Sequence, residues 1–91
     1  MKIKKRIINF ISTFEMYDKE ESGKKPNTVR ILNFNKEQKL KSATHIGIRR
    51  GYTKRCFIRE ITDKTKWFND WIISWNPNTP SNENKNEGDT N

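Results

Sequence analysis

One cysteine, one histidine, three prolines and four glycines are all that this 91-residue chain contains of those residues, and each scarcity closes a class of protein. Cys56 alone permits no internal disulfide, no CxxC pair and no Cys/His zinc spacing, so a disulfide-stapled or zinc-organised fold is excluded and a reducing compartment is expected. Cys56 reads as a small apolar strand residue rather than a nucleophile. No glycine-rich phosphate loop, nucleophile elbow or paired catalytic carboxylates occur, so no metal and no other cofactor is expected. Long apolar runs are missing as well. The stretch that follows the basic start, residues 7–14, is interrupted by Asn9, Ser12 and Thr13, and Glu15 stands where a small-residue cleavage site would be. Neither a signal peptide nor a membrane span is read, and a soluble cytoplasmic protein is the expectation.

What is abundant is positive charge. The net charge is +8, the pI is near 9.8, and charged residues make up 33% of the chain against 31% hydrophobic. A single small domain with that balance calls for an acidic partner, with nucleic acid first, an anionic membrane second and an acidic protein surface third. Lys, Asn and Ile also accumulate in AT-rich coding sequence, so the arginines carry more weight than the lysines.

The arginines concentrate in residues 43–62, ATHIGIRRGYTKRCFIREIT. Ile46 and Ile48 alternate with His45, Gly47 and Arg49; Arg50-Gly51-Tyr52-Thr53 supplies a turn; Cys56, Phe57, Ile58 and Ile61 resume the apolar signal. This predicts a β-hairpin. Arg49, Arg50, Lys54 and Arg55 surround Tyr52, with Arg59 further along the face of Arg55 and Phe57, a mixture of cations and aromatics suited to a phosphate backbone and an unstacked base. The competing reading is a tight turn that needs glycine, rimmed by solvated arginines. Lys2, Lys4, Lys5 and Arg6 form a secondary basic cluster.

Elsewhere the chain reads as follows. Residues 3–17 suit a helix, with Ile3, Ile7, Phe10, Ile11, Phe14 and Tyr17 on one face, and also a strand by their β-forming residue types; periodicity leans to the helix and both readings stay open. If a helix forms, residues 18–21 end it and Gly23 stops it. Residues 28–34 predict a strand, apolar on both faces and therefore central. Residues 35–42 predict a loop or helical turn. Beyond a cap at Thr62 or Asp63, Trp67, Phe68, Trp71, Ile72 and Trp75 predict an amphipathic helix that ends at Asn76-Pro77. Residues 76–91 lack any large apolar side chain and read as a disordered acidic and polar tail behind a basic domain of residues 1–75. The expected fold is a small α+β domain, three to four mostly antiparallel strands with the tryptophan helix packed on the sheet.

The function these features predict is non-catalytic nucleic-acid binding, RNA favoured over DNA because a basic hairpin is present and no helix-turn-helix or arginine-rich helix is. The alternative is a phage- or plasmid-type accessory protein that binds and inhibits a host nuclease, polymerase or defence factor, alone or together with RNA. A small ribonuclease is the second alternative: His45, Tyr52, Arg55 and Glu60 include the residue types such chemistry needs, but nothing in their spacing is specific to it.

Overall fold

The computed structural model describes residues 4–77. In chain order it forms β1 (Ile7–Ser12), α1 (Phe14–Glu21), β2 (Asn27–Ile31), α2 (Phe34–Ser42), β3 (His45–Arg50), β4 (Cys56–Trp67) and β5 (Asp70–Trp75). The strands make one sheet, ordered β1-β3-β4-β5-β2 and curled into a half-barrel. β1 runs parallel to β3, and the other three pairings are antiparallel. Because parallel neighbours require a crossover, the chain leaves β1, passes through α1, β2 and α2, and returns as β3; β2 is left at the opposite edge.

Neither reading of residues 3–17 holds throughout: Ile7–Ser12 is strand, so Ile7, Phe10 and Ile11 of the expected helical face are extended, and a helix begins only at Phe14. Ile7, Ile8 and Ile11 favour extended chain, and Thr13 ends it: its backbone is extended (φ −61°, ψ 162°) while its hydroxyl accepts from the Met16 amide at 3.3 Å, capping α1. Gly23 at φ +88° then turns the chain away, a conformation that costs glycine nothing. Residues 35–42, expected as a loop or helical turn, belong to the nine-residue helix Phe34–Ser42, because Asn33 caps it through the Lys36 amide at 2.8 Å and Leu40, fully buried, anchors it. Residue 3 and residues 78–91, which hold most of the expected tail, lie outside the described residues.

The expected C-terminal helix does not form. β4 continues to Trp67, Phe68 and Asn69 make the turn, and β5 comes back along it with Trp67 opposite Asp70 and Ile61 opposite Trp75. The tryptophan spacing misleads because four residues is close to one helical turn and is also two strand periods. Trp71, Ile73 and Trp75 alternate inward with at most 9% exposure, and Thr65, Ile72 and Ile73 are β-branched and fit a pleated surface better than a helix. The turn contains neither glycine nor proline; Phe68 takes φ +57° instead, which costs a side-chain-bearing residue roughly 1–2 kcal/mol. The sheet thus has five strands in place of three or four. β2 is also an edge strand, not a central one: Val29 and Ile31, the outward half of its two apolar faces, stand 53% and 77% exposed.

The concave side holds the core. Tyr17 from α1 meets Phe57 at 5.2 Å between ring centres, Phe57 meets Trp75 at 5.9 Å, and Ile8, Ile46, Ile48, Leu40 and Ile73 fill around them. Both helices lie over this side: α1 supplies Tyr17, while α2 supplies Leu40 and, through Glu37, accepts the Trp71 indole N–H at 2.8 Å. The sheet's outer side is left uncovered by either helix.

Candidate functional site

Cross-strand register sorts the outer side of β1, β3 and the first half of β4 into three rows: Ile7, His45 and Glu60; Asn9, Gly47 and Ile58; Ile11, Arg49 and Cys56. Gly47 carries no side chain in the middle row, and the Asn9 carboxamide lies over it. A groove of about 520 Å³ opens there, and among its lining residues Arg30, Lys36 and Arg49 are cationic while none is acidic.

Two of these cations come from the far side of the barrel seam. In a parallel pair the carbonyls of Asn9 and Ile11 point away from β3, toward the free edge of β1. Lys36 Nζ donates to the Asn9 carbonyl at 2.9 Å, and Arg30 Nη1 donates to the Ile11 carbonyl at 2.9 Å. Arg30 also donates to the hydroxyls of Ser12 and Thr28, and both cations sit 5.0 Å from the Phe10 ring centre. Capping an edge strand in this way blocks pairing with another chain and leaves net positive charge beside the groove. Burial pulls the Arg30 guanidinium below its usual range, and Glu20 opposes that shift.

The six hairpin residues singled out from the sequence divide by environment. Arg49 is exposed on the outer face, and Tyr52 and Lys54 are exposed in the loop; none of the three has a side-chain partner among the described residues. Arg50 and Arg55 reach the other way, to α1. Arg50 bonds both Asp18 oxygens at 3.0 and 3.2 Å and lies 4.2 Å from the Phe14 ring centre; Arg55 bonds Glu21 at 2.7 Å and lies 5.8 Å from the Tyr17 ring centre. The carboxylates hold both guanidiniums above their usual range, and the Arg50 hydrogen bond holds Asp18 below its own. Arg59 is 9% exposed and faces the core, 4.8 Å from the Phe57 ring centre with Nη1 on the Ile58 carbonyl. Thus Gly51, at φ +58°, turns a loop whose arginines are partly spent on tethering it to the acidic end of α1.

In the secondary cluster, Lys4, Lys5 and Arg6 are exposed and Arg6 donates to the Ser42 carbonyl at 2.7 Å; Lys2 is outside the described residues. The register sets His45 opposite Glu60, with His45 Nδ1 2.7 Å from the Thr44 hydroxyl, and leaves Tyr52 and Arg55 at the other end of the hairpin. Among the described residues no group of His, Cys, Asp and Glu gathers to hold a metal ion, and no helix is long and apolar enough to cross a membrane.

Sequence reasoning overlooked Asn9, Arg30 and Lys36 as members of one surface. They are separated by up to 27 positions and share it only because the sheet curls. It also overlooked a second feature: the outer side of β2, β5 and the end of β4, where Val29 and Ile72 form one row and Ile31, Asp70 and Trp67 the next. Trp67 and Phe68 are 61% and 80% exposed there, edge to face at 5.0 Å. No protein family, curated protein or solved structure matches this chain.

Proposed function

We propose that the protein is a small, non-catalytic, cytoplasmic nucleic-acid-binding protein, RNA favoured over DNA, whose interface is the outer groove of β1, β3 and β4 together with the 51–55 loop. The observation that carries this reading is the groove's charge: three cations and no carboxylate among its lining residues, open to solvent. Arg49 and Lys54 have no competing carboxylate and neutralise phosphates; Arg30 and Lys36, already committed to backbone carbonyls, add field rather than direct contacts. Tyr52, 89% exposed, supplies a ring for an unstacked base. Arg50 and Arg55 contact nucleic acid only by exchanging Asp18 and Glu21 for phosphate, and Arg59 supports Phe57 from within.

The test is equilibrium binding of labelled single- and double-stranded RNA and DNA across a salt series. Arg49→Ala with Lys54→Ala is expected to weaken binding to many sequences alike and to make the logarithmic salt slope shallower by about 0.7 per lost contact on single strands. Tyr52→Ala is expected to cost roughly 1–3 kcal/mol on single strands with the slope unchanged. Absence of any salt-sensitive affinity near physiological ionic strength refutes the reading.

One observation favours a second function, docking on a host protein such as a nuclease, polymerase or defence factor. Phe68 accepts a left-handed backbone, is 80% exposed and contributes nothing to the core, as expected of an aromatic anchor for a partner. Phe68→Gly then separates the two roles: it relieves the backbone and raises stability while abolishing partner binding. Unchanged binding to the partner by that variant removes the second reading.

A further inference from the structure

Arg50 and Arg55 are the cross-strand pair that follows Arg49 and Cys56, and the Arg50 amide donates to the Arg55 carbonyl at 2.9 Å. Residues directly opposite share a face, so both side chains leave the hairpin toward α1 while Arg49 points the other way, into the groove. On α1, Asp18 and Glu21 stand three positions apart and so lie on one helical face. Asp18 fastens Arg50 through both oxygens, at 3.0 and 3.2 Å, and Glu21 fastens Arg55 at 2.7 Å. The Phe14 and Tyr17 rings lie under the two guanidiniums and fix where they stand. Both pairs are open to water, with the Asp18 side chain 55% exposed and that of Arg55 62%, and ion pairs so exposed are weak. A phosphate offers a guanidinium the same geometry of two acceptor oxygens as a carboxylate does, and it can take the carboxylate's place.

We propose that Arg50 and Arg55 form a second phosphate-binding site at the end of the groove, and that Asp18 and Glu21 hold it closed by occupying it as a phosphate would. The proposal rests on the nucleic-acid reading above. Opposed residues of a hydrogen-bonded strand pair are rooted about 5.5 Å apart, close enough for two guanidiniums to grip one phosphate group between them. While the carboxylates are in place the four charges cancel, the site adds nothing to the positive field of the groove, and only Arg49 and Lys54 are free to hold the strand. Removing the carboxylates opens the site without dismantling the fold. Tyr17, fully buried and 5.2 Å from the Phe57 ring centre, keeps α1 docked whether or not the ion pairs are made. The acidic end of α1 therefore limits how tightly the protein holds nucleic acid.

The experiment is fluorescence anisotropy with a short labelled single-stranded RNA at several salt concentrations, with circular dichroism and a urea midpoint for every variant. Asp18→Asn and Glu21→Gln are each expected to tighten binding about two-fold or more and to steepen the logarithmic salt slope by about 0.7, the value of one added phosphate contact on a single strand. Glu15→Gln is the control: it removes the same charge from the same helix, but Glu15 touches only Lys19, at 3.8 Å, so it frees no arginine and is expected to leave the slope unchanged. Adding Arg50→Ala and Arg55→Ala to the Asp18→Asn, Glu21→Gln double variant empties the site at the same net charge as wild type, and the slope is expected to return to the wild-type value. Unchanged affinity and slope in the double variant, an equal gain from Glu15→Gln, or a gain that persists without the two arginines overturns the closed site and leaves nucleic-acid binding standing. No salt-sensitive binding by either the wild type or the double variant overturns both.

Discussion

Replacing Arg30 with alanine tests how much of the closure across the half-barrel's open seam, which Lys36 also spans to the Asn9 carbonyl, depends on this one side chain. Arg30 projects from β2 and makes two hydrogen bonds to β1, to the Ile11 carbonyl at 2.9 Å and the Ser12 hydroxyl at 2.8 Å, and it stacks 5.0 Å from Phe10. Hydrogen bonds to a charged group contribute about 1.5–3 kcal/mol each, and part of that is offset by the cost of desolvating the guanidinium. Ser12 is only 5% exposed, so its hydroxyl would be left without this partner in a site that water reaches poorly. The expected loss is about 2–4 kcal/mol. At 0.05–0.15 kcal/mol per residue, the described 74 residues (4–77) have a total stability of about 4–11 kcal/mol, so the variant forfeits a large share. Equilibrium urea unfolding is expected to show a midpoint lowered by about 1 M or more at unchanged slope. Amide exchange should accelerate in β1 and β2 before it does in β3 and β4, because the seam opens at its edges. A double-mutant cycle with Ser12→Ala should return a coupling of about 1 kcal/mol. A midpoint for Arg30→Ala within error of wild type would show that the curl is maintained by the core and the Lys36 bond to Asn9 without it.

Trp71→Ala should destabilise by about 3–5 kcal/mol, enough to leave much of the population unfolded, because it removes a core ring and strands Glu37 without its indole donor; urea unfolding measures it. Gly51→Ala should cost roughly 1–3 kcal/mol by the same assay, since φ +58° is strained for any side chain and the new Cβ would lie 2.6 Å from Phe14 Cε1. Asp18 and Glu37 are both held below the ordinary carboxylate range by hydrogen bonds, from Arg50 in one case and from Lys66 first and Trp71 second in the other. Depressed carboxylates stabilise the fold above their unfolded pKa and lose that contribution as pH falls through the folded value, so the urea midpoint should drop below about pH 4, and Asp18→Asn should flatten part of that drop.

The basic hairpin was legible because its signals are local: alternation in 45–48, a glycine where the backbone turns left-handed, and resumed apolar residues from Cys56. Residues 4–17 were half legible: both element types occur there, but the helical face drawn through Ile7, Phe10 and Ile11 crosses what is strand, and the helix lies wholly beyond Thr13. The tryptophan segment misled for two physical reasons. A spacing of four satisfies both periodicities, and the turn between its strands is made by Phe68 in a conformation that residue seldom adopts, so no glycine or proline marked it. The candidate site was legible in its charge and not in its membership. Arg49, Tyr52 and Lys54 are exposed and without side-chain partners, whereas Arg50 and Arg55 met Asp18 and Glu21 from an acidic segment more than thirty positions away.

Composition and short-range pattern alone determined that this chain is one basic domain with a glycine-turned hairpin and no cysteine framework, because net charge, turn chemistry and strand alternation depend on residues within a few positions of one another. Tertiary structure alone decided which cations are spent and which are free, that β2 lies at the edge, and that Asn9, Arg30, Lys36 and Arg49 share one groove. These depend on strand order and on the curl of the sheet, which bring the two edge strands within reach of one arginine side chain, and such long-range pairings leave no periodicity in the chain for a local reading to find.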